Sequence, residues 1–340
     1  MMRWCRQARR AVYARLLLAL VLLTTGAGTV QLTAAPPPPG PTIAVAADSA
    51  APPVVASGCG RSSSVAPGAT ADASIQADPA VSAGETSRAY RVHLPTAYTP
   101  DTATAVVLAF HGHGGDSAGM EGMTDFSALA DREGFIAVYP QGLAGRDGRP
   151  FWADIGTIDL GIDDVRFVND LLDTLEGAFC VDTARIYATG FSNGGGMTAL
   201  LACRLSDRIA AFAPVAGDFY AVPDRCDPGH PVPILDIHGT ADRVVTYYGI
   251  PEAINPRWPL PSIPMWLRAW AARDGCTDDP STTAIDTGVT ELEWTGCVAN
   301  GAVVHYRMEG GGHDWPAAIQ GRAVASVMWD FFRSHPLLGP

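Results

Sequence analysis

A serine hydroxyl is a weak nucleophile at neutral pH, so a chain that employs one must also supply a base and a carboxylate to orient that base. The stretch Gly190-Phe191-Ser192-Asn193-Gly194 offers such a serine. An apolar, strand-like run at 185–189 precedes it and a helix-like pattern at 194–205 follows. Ser192 therefore falls on a sharp strand-to-helix turn, which raises its Oγ out of a sheet and sets it at a helix N-terminus. Such a turn requires small neighbours, and Gly190 and Gly194 supply them. The chemistry this implies is acyl transfer through a serine ester.

In the chain order serine, acid, histidine, the acid should follow a later buried strand. The run Pro233-Ile-Leu-Asp-Ile-His-Gly-Thr-Ala-Asp242 meets that requirement, with Asp242 in the loop after the strand. Asp236, inside the strand, is expected to engage in local hydrogen bonds instead. Of eight histidines, His313 lies after the last strand-like run, in Glu309-Gly-Gly-Gly-His313-Asp-Trp-Pro316. Its three preceding glycines free the backbone to swing the imidazole toward Ser192. His305 sits within the preceding strand, and His93, His230 and His335 have no motif around them, so structural roles are expected for these four.

Two backbone N–H groups should face the charge that develops on the attacked carbonyl oxygen. Asn193, next to the nucleophile, is expected to offer one. The other is assigned to His113, in the loop His111-Gly112-His113-Gly114-Gly115-Asp116 that follows the apolar run 105–110. The imidazoles of His111 and His113 are then structural. A competing reading makes His111, His113 and Asp116 the start of a two-metal hydrolase site, but such sites need an Asp-His pair next, and Ser117 and Ala118 stand there. No metal and no cofactor is expected. Trp152 and Trp315 are the candidate walls of an acyl or alcohol pocket, and Asp163 and Asp164 are expected to cap a helix.

These residues need a scaffold. Strand-like runs occupy 86–94, 105–110, 135–139, 185–189, 210–215, 233–237 and 303–308. Helical patterns occupy 120–133, 164–179, 194–205, 263–273 and 322–333. From residue 105 onward the strands are continuous apolar runs, the mark of buried parallel strands. Their alternation with helices predicts an α/β fold, a mostly parallel central sheet with helices on both faces and antiparallel strands at its start. Chemistry in such folds gathers beyond the carboxyl ends of the strands. The Tyr- and Pro-rich stretch 246–262 is expected to loop over that edge.

Five arginines precede the apolar run 16–23, which is too short to span a bilayer as a helix. Residues 1–46 therefore read as a signal peptide, cleaved after Ala46 or earlier near Ala35. Arg9-Arg10 loosely suggests twin-arginine export. Ala56-Ser57-Gly58-Cys59 lacks the large aliphatic residue of a lipid-anchor signal, so no stable membrane anchor is expected once the leader is cut. Residues 47–72, rich in Ala, Pro, Ser and Gly, read as a linker or loosely draped arm. Residues 73–340 form the catalytic domain. Beyond the leader the chain carries 18 arginines, no lysine and 35 acids. That surface disfavours nucleic acid as a partner. A monomer is expected.

Six cysteines outlast the leader: Cys59, Cys180, Cys203, Cys226, Cys276 and Cys297. An even number in an exported chain points to disulfides. Cys276 with Cys297 is the favoured pair, since a short strand-rich segment between them would bring them together. The pairing of the other four is open.

With these residues in view, the chain resembles the extracellular polyhydroxybutyrate depolymerase-like and feruloyl esterase-like enzymes related to carbohydrate esterase family 1. The resemblance rests on Tyr139-Pro-Gln-Gly142, on Cys180 through Gly195 around Ser192, on His238-Gly-Thr-Ala-Asp242, and on Gly310-Gly-Gly-His313-Asp-Trp-Pro316. It implies an α/β-hydrolase fold, a Ser-Asp-His triad, no cofactor, and hydrolysis of carboxylic esters outside the cell. The substrate is an oligomeric or polymeric hydroxyalkanoate or, alternatively, a feruloylated or acetylated polysaccharide. The same triad also serves acyl transfer to another alcohol, and a non-catalytic binding protein on a hydrolase scaffold is the reading from outside enzymology.

Overall fold

A computed structural model describes residues 56–153, 161–220, 226–256, 258–277 and 279–338. The leader expected over 1–46 lies outside the described residues. In chain order the strands are β1 (Thr70–Gln76), β2 (Ser87–His93), β3 (Thr104–Phe110), β4 (Phe135–Pro140), β5 (Leu143–Ala144), β6 (Pro150–Phe151) and β7 (Val181–Phe191). They continue with β8 (Ala211–Val215), β9 (Ile234–Gly239), β10 (Ser281–Asp286), β11 (Val289–Trp294), β12 (Val303–Met308), β13 (Ala318–Ile319) and β14 (Arg322–Ala323). The helices are α1 (Ser117–Thr124), α2 (Phe126–Glu133), α3 (Asp164–Ala178), α4 (Asn193–Arg204), α5 (Ile263–Arg273) and α6 (Val324–Arg333).

Ten strands form one sheet in the order β1-β2-β4-β3-β7-β8-β9-β12-β11-β10. The six from β4 to β12 run parallel, and an antiparallel pair flanks them at each edge. This is the α/β-hydrolase fold. The central strand β3, Thr-Ala-Val-Val-Leu-Ala-Phe, is buried along its whole length. Val106, Leu108 and Phe110 pack with α3, α4 and α5, while Ala105, Val107 and Ala109 pack with α1, α2 and α6. A strand covered on both faces has no solvent side to mark with polar residues, hence its unbroken apolar run. Chain order reverses about β3, since β4 lies to one side of it and β7 to the other. The crevice beyond the carboxyl ends of β3 and β7 is therefore a topological switch point.

Three elements differ from the sequence expectation. The helix expected over 120–133 is two, because Asp125 adopts a left-handed conformation with φ 56°. Aspartate tolerates that region better than most residues, and the break lets Met120, Phe126 and Leu129 reach one layer. The helix expected from residue 322 starts at Val324, because Arg322 and Ala323 pair with β13 across a turn in which Gln320 and Gly321 have positive φ. The segment 47–72, expected as a linker or arm, joins the domain from Ala56 onward. Ala56 and Val65 are buried, Cys59 is bonded to Cys180, and Thr70 begins β1. A half-exposed edge strand and a disulfide-tied lead-in need little apolar sequence, so composition alone misreads them.

The remaining disulfides are Cys203–Cys226 and Cys276–Cys297. The strand-rich segment between Cys276 and Cys297 is the β10–β11 hairpin, which turns at Thr287-Gly288.

Candidate active site

Ser192 follows β7 directly and carries φ 56° and ψ −123°. A left-handed backbone at a residue other than glycine costs energy and persists only where its surroundings enforce it. Here they do. A Cβ on Gly190 would stand 2.2 Å from Gly194 O, and one on Gly194 would stand 2.2 Å from Phe110 O. The Ser192 N–H is held by Val215 O at 2.9 Å.

His313 and Asp242 arrive on two interlocked loops. Ala241 N–H donates to Gly311 O at 2.9 Å, Gly310 N–H donates to Thr240 Oγ1 at 2.8 Å, and Gly239 has no room for a Cβ against Gly311 O at 2.3 Å. Of the three glycines before His313, only Gly310 has positive φ, and a Cβ on Gly311 would stand 2.9 Å from Met308 Cβ, so Gly311 is required for space rather than for freedom. The result is a continuous relay. His313 Nε2 lies 2.8 Å from Ser192 Oγ, and His313 Nδ1 lies 2.7 Å from Asp242 Oδ2. The Phe191 ring packs against the imidazole with centroids 4.9 Å apart.

Asp242 is buried, which opposes its charge, but bonds from His238, His313 and the Val244 N–H outweigh burial and hold its pKa at about 2. Its Oδ1 accepts the N–H groups of Val244 at 2.8 Å and Val245 at 2.9 Å. A carboxylate so held accepts the Nδ1–H of His313 and leaves Nε2 free to take a proton. His238 is a residue that sequence reasoning left without a role. Its Nε2 stands 3.4 Å from Asp242 Oδ2 and 2.9 Å from Val245 O. Burial opposes its charge, yet Asp242, Asp236 and the Val245 carbonyl together raise its pKa. Asp236 lies beneath, 2.8 Å from His305 Nδ1, and His305 Nε2 meets the Tyr247 hydroxyl at 3.0 Å. That chain ties β9 and β12 to the loop that starts at Asp242, and it accounts for Asp236 and His305 as structural residues.

The loop after β3 passes beside the elbow. A Cβ on Gly112 would stand 3.3 Å from Ser192 Cβ. Gly114 N–H donates to Pro150 O and Gly115 N–H to Gly112 O, whereas the His113 N–H takes no partner among the described residues. The His111 imidazole is buried, and that burial lowers its pKa. It donates from Nδ1 to Gly112 O at 2.8 Å and accepts at Nε2 from Gly142 N–H at 3.0 Å. The motif Tyr139-Pro-Gln-Gly142 is thus the anchor of this loop, and Gln141 Oε1 also accepts the Ser117 N–H. The exposed His113 ring pairs with Asp147 at 2.8 Å. Among the described residues, no group of three or more His, Cys, Asp or Glu side chains could hold a metal ion.

Trp152, expected as a pocket wall, is instead fully buried between Phe110 and Phe167. Its backbone is clasped by Asn193 and its Nε1–H donates to His111 O at 2.8 Å. Trp315 packs against the α6 layer and does not line the cleft. The cleft beside Ser192 encloses about 580 Å³ and is lined by His113, Phe151, Tyr220, Val244, Trp258 and Leu260, among others. Asp163 caps α3 as expected, accepting the Arg166 N–H at 2.9 Å. Asp164, by contrast, is buried, pairs with Arg88 at 2.5 Å and accepts the Ala153 N–H at 2.7 Å.

A Ser-His-Asp constellation on a reversed parallel sheet defines a serine α/β-hydrolase. Residues 88–224 match the family model described as "Esterase PHB depolymerase". The chain belongs to this polyhydroxybutyrate depolymerase-like and feruloyl esterase-like family. It is 33% identical over 264 residues to NocK of Nocardia uniformis subsp. tsuyamanensis, an esterase by its name, covering 72% of this chain and 75% of that one. It is 30% identical over 251 residues to Feruloyl esterase B of Piromyces equi, covering 72% of this chain but only 45% of that longer protein. The acetyl xylan esterase structure from Aspergillus awamori shares the fold with TM-score 0.55 at 16% identity, covering 78% of this chain and 99% of that one.

Proposed function

We propose that this protein is a secreted serine carboxylic-ester hydrolase that works through an acyl-enzyme, with Ser192 as nucleophile, His313 as general base and Asp242 as its orienting carboxylate. The observation that carries the reading is the relay of 2.8 Å and 2.7 Å contacts from Ser192 through His313 to Asp242. As Ser192 Oγ attacks the ester carbonyl, its proton passes to His313 Nε2. The charge on the former carbonyl oxygen is met by the N–H groups of His113 and Asn193. Collapse expels the alcohol, which takes the proton from His313. Water then repeats the sequence on the acyl-enzyme, releasing the acid and restoring Ser192.

Three disulfides suit a protein that acts in an oxidising space outside the cell. The substrate reading is an oligomeric or polymeric hydroxyalkanoate, supported by the family match. A feruloylated or acetylated polysaccharide is the second reading, supported by relatives named as feruloyl and acetylxylan esterases. The experiment is an assay of purified protein and its Ser192→Ala variant on aryl butyrates, hydroxybutyrate oligomers, methyl ferulate and acetylated xylan fragments. Hydrolysis that vanishes in Ser192→Ala is the expected result, and its persistence would refute the mechanism.

A further inference from the structure

The Asp242 carboxylate is flanked by two imidazoles, and only one of them reaches Ser192. His313 Nδ1 and His238 Nε2 converge on the same oxygen, Oδ2, at 2.7 Å and 3.4 Å. His238 is fully buried and does not line the cleft. We propose that His238 is a positioning residue of the relay: it clamps the turn from Asp242 to Val245 and sets a titratable charge beside Asp242, so that catalysis responds to the protonation of an imidazole that never meets the substrate. This inference rests on the esterase reading above.

The clamp is a closed circuit of bonds. Asp242 Oδ1 accepts the Val245 N–H at 2.9 Å, and the Val245 carbonyl accepts from His238 Nε2 at 2.9 Å. One ring N–H thus holds the residue whose own N–H holds the carboxylate. Tyr247 fixes the ring from its edge, with centroids 6.0 Å apart and 70° between the planes, and also stacks on His305. If packing were all that this position served, an apolar side chain would fill it at less cost, since a buried polar ring is unfavourable unless it is bonded.

The charge follows from the second nitrogen. His238 Nδ1 is buried and makes no hydrogen bond of ordinary geometry among the described residues. With the Nε2–H committed to Val245, a proton can be taken at Nδ1 without breaking the clamp. Burial opposes that proton, but Asp242, Asp236 and the Val245 carbonyl outweigh it and raise the pKa of the ring. Asp236 lies two residues earlier on the same face of β9, and its register partner on β12, His305, approaches Asp236 Oδ2 at 2.8 Å. Arg307, opposite His238 on β12, donates to Glu309 at 2.6 Å. In the loop after β9, Arg243 is exposed and the Tyr247 hydroxyl meets His305. A positive charge on His238 therefore competes with His313 for the Asp242 carboxylate and disfavours a proton on His313 Nε2.

The test is the pH profile of kcat/KM for p-nitrophenyl butyrate in the native chain, in His238→Leu and in His238→Gln. Leucine removes both clamp and charge, whereas glutamine keeps an N–H donor of similar reach and removes only the charge. His238→Leu should lower kcat roughly tenfold with little change in KM, because a loosened turn misplaces the carboxylate. It should also move the acid limb of the profile up by roughly one pH unit. His238→Gln should recover most of the lost kcat yet share the displaced limb. A limb at its native position in His238→Gln, or one displaced to lower pH, would overturn the proposal. So would native kcat in His238→Leu, or a loss in His238→Gln as deep as that in His238→Leu. If the fold does not tolerate leucine, His238→Gln decides alone through the position of its limb, which a residue of structural importance only would leave unmoved. A native chain that hydrolyses no ester would instead overturn the esterase reading beneath it.

Discussion

Asn193 clasps the backbone of Trp152: its Oδ1 accepts the Trp152 N–H at 2.7 Å and its Nδ2 donates to Trp152 O at 3.2 Å. The same tryptophan donates its indole N–H to His111 O at 2.8 Å. Both loops that would supply the oxyanion donors, one through Asn193 and one through His113, therefore hang on one buried residue, the first on its peptide groups and the second on its indole.

Disturbing that side chain should affect turnover more than binding. Trp152→Phe keeps most of the apolar volume but abandons the His111 carbonyl, and Asn193→Ala releases the clasp. A displacement near 1 Å in an oxyanion site costs on the order of 10²-fold. Steady-state kinetics on p-nitrophenyl butyrate should give kcat lowered roughly 10- to 100-fold in each variant with a much smaller change in KM. A change confined to KM would assign Trp152 to substrate binding after all.

Removal of triad members tests the relay itself. Ser192→Ala should lower kcat by on the order of 10³ to 10⁶, and Asp242→Asn, which loses the charge that orients His313, by on the order of 10⁴. Circular dichroism should stay unchanged for Ser192→Ala. A fluorophosphonate should label the native chain and not this variant. Full labelling of Ser192→Ala would move the nucleophile elsewhere.

The meeting of Ser192, His313 and Asp242 was legible because each sits at a position that chain order and turn chemistry dictate: after β7, after β12 and after β9. The inner strands were legible for a related reason, since burial on both faces forces an apolar run such as that of β3. What escaped the sequence depends on contacts between distant segments. Nothing near Trp152 shows that Asn193, 41 positions later, will hold its peptide group. Likewise β1, Thr-Ala-Asp-Ala-Ser-Ile-Gln, is an edge strand with one buried residue, so it lacks the pattern that betrayed β3. The Arg88–Asp164 pair, 76 positions apart, overrides the local capping role that Asp164 alone suggests.

The lead-in to β1 is tied down by Cys59–Cys180, a link that spans 121 positions. Closing so long a loop restricts the unfolded chain strongly, and loss of a native disulfide costs about 2–5 kcal/mol. The double variant Cys59→Ser/Cys180→Ser should therefore show a lower urea midpoint, with an unfolding free energy reduced by an amount in that range. Its kcat should remain close to native, since no triad residue lies in the lead-in. An unchanged midpoint would mean that the buried Ala56 and Val65 hold the segment unaided.

Asp274, fully buried at the end of α5, carries a pH dependence of opposite sign to that of Asp242. Burial pushes its pKa up to about 7, against the lowering effects of the Val232 and Ala302 N–H groups and of Arg273. Its Oδ1 accepts the Val232 N–H at 2.9 Å, while Oδ2 makes no hydrogen bond of ordinary geometry among the described residues. In the unfolded chain the same carboxyl titrates near about 4. Between these values the unfolded state has released a proton that the folded state keeps, so this group's contribution is full below about pH 4 and is lost as pH rises through 7. Asp242 does the reverse, stabilising above about pH 4 and losing that contribution as pH falls toward 2. Asp274→Asn keeps an acceptor for Val232 and abolishes the titration. The melting temperature of this variant minus that of the native protein should therefore grow from pH 4 to pH 7, and a difference that stays constant across that range would show that Asp274 is not the group responsible.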